Sequence, residues 1–199
     1  MEFDEVVRNR RMSRDFNDTL ISHALIDELL DAVRYSPSAG FTQGFRFLVL
    51  TEENARFSFF KITSDELWLE SSDSKMITNA PVIIIPFCLK SEYINRYSQT
   101  DKLISHNNEN FMEVQGTAFW ITDLSFATMI LLLNAENLGL GALFFAIHNN
   151  LDKLKSHFNI DGDADLIGAV AVGYKSGVNR QTARTKLKKS EIIKFNSWN

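Results

Sequence analysis

The sequence predicts an α+β fold, and three observations carry that prediction. Apolar runs at Phe45–Leu50, Pro81–Leu89, Ala142–Ile147 and Leu166–Tyr174 read as strands, the second and fourth apolar enough to be buried. Helical patterns precede or separate these runs without strict strand–helix–strand alternation, which disfavours a doubly wound parallel sheet. The chain has 199 residues, 45% hydrophobic and 23% charged, an ordinary composition for one globular domain over residues 1–199. A chain of that size buries enough surface to fold without a disulfide or a metal.

The elements follow in order. Glu2–Arg10 reads as a short amphipathic helix with Phe3, Val6 and Val7 on one face. Ser22 is placed to N-cap a helix running to about Tyr35, because Ile21, Leu25, Leu29 and Val33 recur every fourth residue and Leu30 widens the stripe. Pro37 and Gly40 stop it. Thr51–Ser64 reads as helix, and residues 65–78 fit neither pattern clearly. Pro86 lacks a ladder donor, which predicts an edge, a bulge or the end of the 81–89 strand there. Residues 90–115 read as helix plus a mobile excursion. Thr117–Leu138 is the strongest helix, apolar nearly all round, as a central helix would be, and Gly139 ends it. Asn149–Phe158 reads as helix, and the tail from Gly177 is basic and polar.

The net charge is -4, and no long basic stripe runs along the chain, which argues against nucleic-acid binding. The acidic start "MEFDEVV" does not resemble a secretory leader. Apolar stretches read as falling short of the roughly 20 residues a spanning helix needs, so no membrane partner is predicted and the expected location is the cytoplasm. The single cysteine, Cys88, lies in an apolar run and reads as a small core residue.

Several motifs fail on inspection. "GLGALF" needs glycine where Phe144 stands to match G-x-G-x-x-G, and it follows a helix instead of a strand. "DGDAD" needs glycine where Leu166 stands and glutamate where Val172 stands to be a calcium loop, so it reads as a turn. His23, His106, His148 and His157 show no metal-ligand spacing, and no metal is predicted. Without an acid, base or nucleophile signature, the pattern suits a protein whose cofactor does the chemistry.

What remains is arginine. Arg10, Arg11 and Arg14 fall within five positions, with Arg8 just upstream. A second cluster, Arg180, Arg184, Lys186, Lys188 and Lys189, lies near the C-terminus. Guanidinium forks match phosphate oxygens in pairs, so the clusters suggest a bound phosphate; Lys188 and Lys189 read as a solvated strip.

At this point the residues resemble a family, the FMN-dependent nitroreductase-like oxidoreductases. "RRMSRDF" is similar to its opening R-R-x-x-R-x-F element, and "SPSAGFTQGFRFLVL" to its A-P-S-x-x-x-x-Q element. "FWITDLSFATMILLLNAENLGLGALFF" resembles its central helix and following strand, and "IGAVAVGY" its late strand. The resemblance implies a mostly antiparallel central sheet wrapped by helices, in an intertwined homodimer with FMN at the subunit interface. It places Arg10, Arg11 and Met12 in the opening element, with Arg10 and Arg11 at the phosphate and ribityl end and Arg14 near the pyrimidine edge. Pro37, Ser38, Ala39 and Gln43 would reach the FMN from the partner subunit. Leu143, Phe144 and Phe145 would line the ring, and Arg184 and Lys186 would close on the phosphate. Four positions depart from the commoner family pattern: Met12 stands for serine, Phe41 for asparagine, Gly44 for proline and Ala146 for glycine.

The implied function is ping-pong hydride transfer from NADH or NADPH, through flavin N5, to a small electron-poor acceptor such as a nitroaromatic or quinone. The alternatives are a flavin carrier or sensor with incidental reductase activity, and a flavin-destroying or dehalogenating branch of the same fold. A cation near flavin N1 favours the reduced state. At about 4 Å and an effective dielectric near 20, such a pair is worth roughly 4 kcal/mol. Arg14 so placed would raise the potential by some tens of millivolts, since about 30 mV of a two-electron couple is about 1.4 kcal/mol.

Overall fold

The structure is a computed structural model and describes residues 1–103, 112–114, 116–177 and 185–198. In chain order its elements are α1 (Phe3–Asn9), α2 (His23–Asp31) running into a 3-10 turn (Ala32–Tyr35), β1 (Phe45–Leu50), α3 (Glu53–Thr63), α4 (Glu66–Glu70) and α5 (Ser72–Thr78). Then come β2 (Val82–Leu89), α6 (Lys90–Tyr97), α7 (Thr100–Leu103), β3 (Glu113–Val114), β4 (Thr117–Ala118) and α8 (Phe119–Asn137). The chain continues through β5 (Gly141–Phe145), α9 (Leu151–His157), β6 (Ala164–Leu166), β7 (Ala169–Gly173) and α10 (Lys189–Ile192). The predicted excursion at 90–115 begins with α6 and α7; its residues 104–111 and 115 lie outside the described residues.

The main sheet has the order β1-β2-β7-β5, with β6 also paired to β2, and every strand pairing in it is antiparallel. This is the predicted α+β class. The apolar run of β2 follows from its two covered faces. Ile83 and Ile85 join Phe59 and Phe60 of α3 and Leu154 of α9, while Val82 and Ile84 join Leu29 of α2 and Leu131 of α8. Alternate residues point to opposite faces, so both registers must be apolar when helices cover both sides. β7 repeats the pattern, with Ala169 and Ala171 on one side and Val170 and Val172 on the other.

The local signals for helix ends hold. Ser22 Oγ accepts the Leu25 N–H at 3.3 Å, a cap that contributes about 1 kcal/mol. At the end of α8, Gly139 takes φ +75°, its N–H donates to the Glu136 carbonyl, and the Leu140 N–H donates to the Ala135 carbonyl. Those paired bonds close the orphan carbonyls of the last turn. "DGDAD" is a turn, with the Asp163 N–H donating to Asp161 Oδ1 at 3.0 Å.

Three expectations are corrected and a fourth is narrowed. α1 buries only Val6, while Phe3 and Val7 are 72% and 47% exposed, because a helix of 7 residues presents a single row to the core. α8, with 19 residues, is long and apolar enough by length and composition to cross a membrane, contrary to the sequence estimate; half of it is buried, against the sheet and α2. Leu166–Tyr174 is not one strand but β6 and β7, broken at Ile167 and Gly168. Of the edge, bulge or strand end expected at Pro86, the structure holds the bulge, on the neighbouring strand: Pro86 itself neither ends β2 nor sits on an edge, but pairs with Phe47 inside the ladder to β1.

The break after Leu166 and the place of Pro86 share a cause. The Leu89 N–H donates to the Gly44 carbonyl on the β1 side. Donors alternate along a strand, so position 86 faces the other neighbour. There β2 changes partner, from β7 at Ile84↔Val170 to β6 at Phe87↔Leu166. Ile85 and Pro86 therefore face Ile167, Gly168 and Ala169, a β-bulge on the neighbouring strand. The missing donor of Pro86 falls where the ladder is already interrupted.

Candidate functional site

The predicted site residues gather in two places. The first lies along the outer edge of β5. Met12 bridges Ala142 in parallel, the Ser13 N–H donates to the Ala142 carbonyl at 2.9 Å, and the Phe144 N–H points at Met12 Sδ at 3.5 Å. The structure thus brings Met12, Leu143, Phe144 and Phe145 together. Leu143 is buried, and the two phenylalanines are half-buried. Arg10 caps α1 and is half-buried. Its Nη1 is the one buried side-chain nitrogen or oxygen without a hydrogen-bond partner among the described residues. Leaving a buried donor unmet costs about 1–3 kcal/mol. An anion at this nitrogen removes that cost, so the site fits an acidic ligand group.

The other cations are placed differently. Arg11 Nη1 donates to the carbonyls of Arg8 and Arg10 at 2.6 and 2.8 Å, closing the end of α1. Arg14 and Lys186 are exposed, and Arg180 and Arg184 lie outside the described residues.

The second place is the loop from Pro37 to Gln43. Pro37 is exposed; Ser38 Oγ accepts the Gln43 N–H at 2.9 Å, and Gln43 Nε2 reaches the Arg34 carbonyl at 3.5 Å. Gln43 lines a cleft of ≈290 Å³ with Arg34, Tyr35 and Phe45. The backbone here is strained: Gly40, Phe41 and Gln43 have φ of +62°, +55° and +52°. A left-handed conformation at a residue with a side chain costs about 1–3 kcal/mol, and such strain gathers at ligand sites.

Sequence reasoning missed what holds this loop. Asp123, only 4% exposed on α8, accepts the Ala39 N–H at 2.8 Å and the Tyr93 O–H at 2.7 Å, both on Oδ2. The signal was present as one acid inside the apolar run "FWITDLSF". Tyr93 is fully buried, and it explains the departure at Gly44. A Cβ there would stand 2.5 Å from Tyr93 Cε2, so no larger residue fits beside this tyrosine.

A larger cavity of ≈710 Å³ opens between α3, α4 and α5, lined by Arg56, Phe57, Phe60 and Leu69 among others. None of the predicted site residues borders it.

Cys88 is fully buried, and its Sγ donates to the Trp120 carbonyl at 3.1 Å. Burial pushes its thiol from 9.0 to about 12. Burial, then the bond to Asp123, also pushes the Tyr93 phenol up. A raised folded pKa stabilises the protein fully below the unfolded value and loses that contribution as pH climbs toward the folded one. Unfolding free energy is therefore expected to fall as pH rises from 9 toward 12. The thiol accounts for at most about 1.4 kcal/mol per pH unit of that fall. Denaturant titrations at several pH values should give Cys88→Ala a shallower alkaline slope than the wild type; equal slopes would refute the assignment.

With the sheet, the arginine at the end of α1 and the strained loop in place, the comparison with known proteins is decisive. A family model described as the Nitroreductase family matches residues 7–174. The chain belongs to the nitroreductase family. A protein of Methanothermobacter thermautotrophicus, provisionally named an NADH dehydrogenase/NAD(P)H nitroreductase, is 25% identical over 177 residues, which is 87% of this chain and 78% of the relative. NfrA2 of B. megaterium superposes with a TM-score of 0.78 at 14% identity, over 100% of this chain and 76% of that one. NfrA1 nitroreductase from B. subtilis gives 0.76 at 17% identity, over 100% and 75%. A nitroreductase family protein from Clostridium difficile 630 gives 0.71 at 22% identity, over 99% of both chains. The structural likenesses establish the nitroreductase fold, and the family match supports an oxidoreductase.

Proposed function

We propose that this nitroreductase family member is an FMN-dependent NAD(P)H oxidoreductase. The observation that carries the reading is the buried, unpartnered Arg10 nitrogen at the end of α1, two residues before Met12, in a chain matched by the family model. When bound, FMN would supply two-electron redox chemistry between NADH or NADPH and a small electron-poor acceptor such as a nitroaromatic or quinone. The chain's residues bind and orient the cofactor. Arg10 and Arg11 would meet the phosphate and ribityl end, Arg184 and Lys186 would close on the phosphate, and Arg14 would stand at the pyrimidine edge. Leu143 and Phe145 on one face of β5 and Phe144 on the other would line the ring from that strand. Met12 Sδ occupies the Phe144 N–H, so that donor is withdrawn from the ring. Ser38 Oγ accepts from Gln43 and keeps its own proton to donate.

The loop at Pro37–Gln43 would serve the FMN of a partner subunit in a homodimer. Phe126 and Met129 on the outer face of α8 are 49% and 42% exposed, and the arm beyond α10 leaves Phe195 and Trp198 82% and 68% exposed. Apolar surface of that extent on a helix and an arm suits an interface between copies. Two measurements test the proposal: the visible spectrum of the purified protein, and NADH or NADPH oxidation with menadione. Yellow protein with turnover is the expected result. Colourless protein that takes up no added FMN overturns the reading, and bound flavin without turnover replaces the enzyme with a carrier.

A further inference from the structure

We propose that Asp123 is a positioning residue for the flavin, acting through the loop Ser38–Gln43 and tying that loop to α6. The proposal rests on the flavin reading given above. Its basis is a single buried carboxylate oxygen that receives two donors from two different elements: the Ala39 N–H of the loop and the Tyr93 O–H of α6. Two further contacts join the same pair of elements. Arg96 Nε donates to the Gly40 carbonyl at 2.8 Å, while its two terminal nitrogens are held by Asp101 at 2.8 Å each. The Tyr97 ring lies 3.3 Å from where a Cβ on Gly40 would be.

The loop needs such a brace. Within four residues it places Gly40, Phe41 and Gln43 at positive φ, a conformation that relaxes unless its surroundings hold it. Two internal bonds, Gln43 N–H to Ser38 Oγ and Thr42 Oγ1–H to the Ala39 carbonyl, shape the turn but do not attach it to the domain. Asp123 makes that attachment from the rigid central helix. One acceptor shared by loop and α6 means that neither can shift without breaking a bond in the interior, where no water replaces it. The loop's Ser38 and Gln43, which would touch the flavin, are thereby held at fixed positions. The tyrosine that completes the brace also excludes a side chain at position 44. Gly44 and Tyr93 therefore form one matched unit.

The test uses the full chain and four measurements on Asp123→Ala, Asp123→Asn and Tyr93→Phe. These are riboflavin and FMN affinity, the visible circular dichroism of the bound flavin, and exchange of the Ala39 amide in flavin-free protein. Asp123→Ala should weaken both ligands about tenfold or more, alter the flavin dichroism, and speed Ala39 exchange about tenfold or more. Asp123→Asn keeps an acceptor oxygen in place and should restore all four. Tyr93→Phe removes one donor and should shift each by a smaller factor in the same direction. A folded Asp123→Ala with wild-type affinity and dichroism overturns the proposal, as does an asparagine variant as impaired as alanine. Should the alanine variant fail to fold, Tyr93→Phe decides, and unchanged values overturn it. Wild-type protein that binds no flavin sinks the cofactor reading instead, while Ala39 exchange still reads whether Asp123 holds the loop.

Discussion

Gly168→Ala is expected to destabilise the protein by about 2–6 kcal/mol, from overpacking of about 1–3 and backbone strain of about 1–3 kcal/mol. Gly168 sits in the bulge between β6 and β7 with φ +147°. A Cβ there would stand 2.4 Å from the Phe145 carbonyl oxygen and 3.0 Å from Phe144 Cζ. The first of these is a backbone atom of β5, so the overlap cannot be relieved by a rotamer change. Either the bulge opens or β5 moves, and β5 carries the residues proposed to face the flavin. Urea unfolding should show a lower midpoint with an unchanged slope. A loss under about 1 kcal/mol would mean that the close approach of bulge and strand is not required.

The second large effect concerns the ligand. Arg10→Ala should weaken FMN binding by about 1.5–3 kcal/mol, roughly 10- to 150-fold, the usual worth of a charged hydrogen bond. Riboflavin, which lacks the phosphate, should bind the variant as it binds the wild type. Flavin-free protein should lose little stability, because the nitrogen removed has no partner there. Thermal shift with and without each ligand separates these effects, since a ligand stabilises only in proportion to its affinity for the folded state. Equal losses for FMN and riboflavin would remove Arg10 from the phosphate and leave it a structural role at the end of α1.

Much of this architecture was readable from local patterns. The stop at Gly139 is a backbone rule, satisfied by bonds within one turn of α8. The Ser22 cap is of the same kind. The apolar runs of β2 and β7 announced strands with two covered faces. The arginines near the start were visible as a cluster, but their division of labour was not. Arg11 closes a helix and Arg10 keeps a free nitrogen, and which does which depends on where α1 ends against the sheet.

Composition, caps and periodicity therefore determined the class of fold, the central helix and the main strands, while the family was legible only as a resemblance carried by four motifs in order. The fold class, helix and strands depend on neighbours a few residues apart, and their physics is complete within a short segment. Only the tertiary structure decided that Pro86 sits safely opposite a bulge, that Gly44 makes room for Tyr93, and that Asp123 binds both Ala39 and Tyr93. Ala39 and Tyr93 lie 84 and 30 positions from that aspartate. Such contacts exist only once sheet and helices have assembled, because they are set by strand register and packing and leave no periodic trace in the chain.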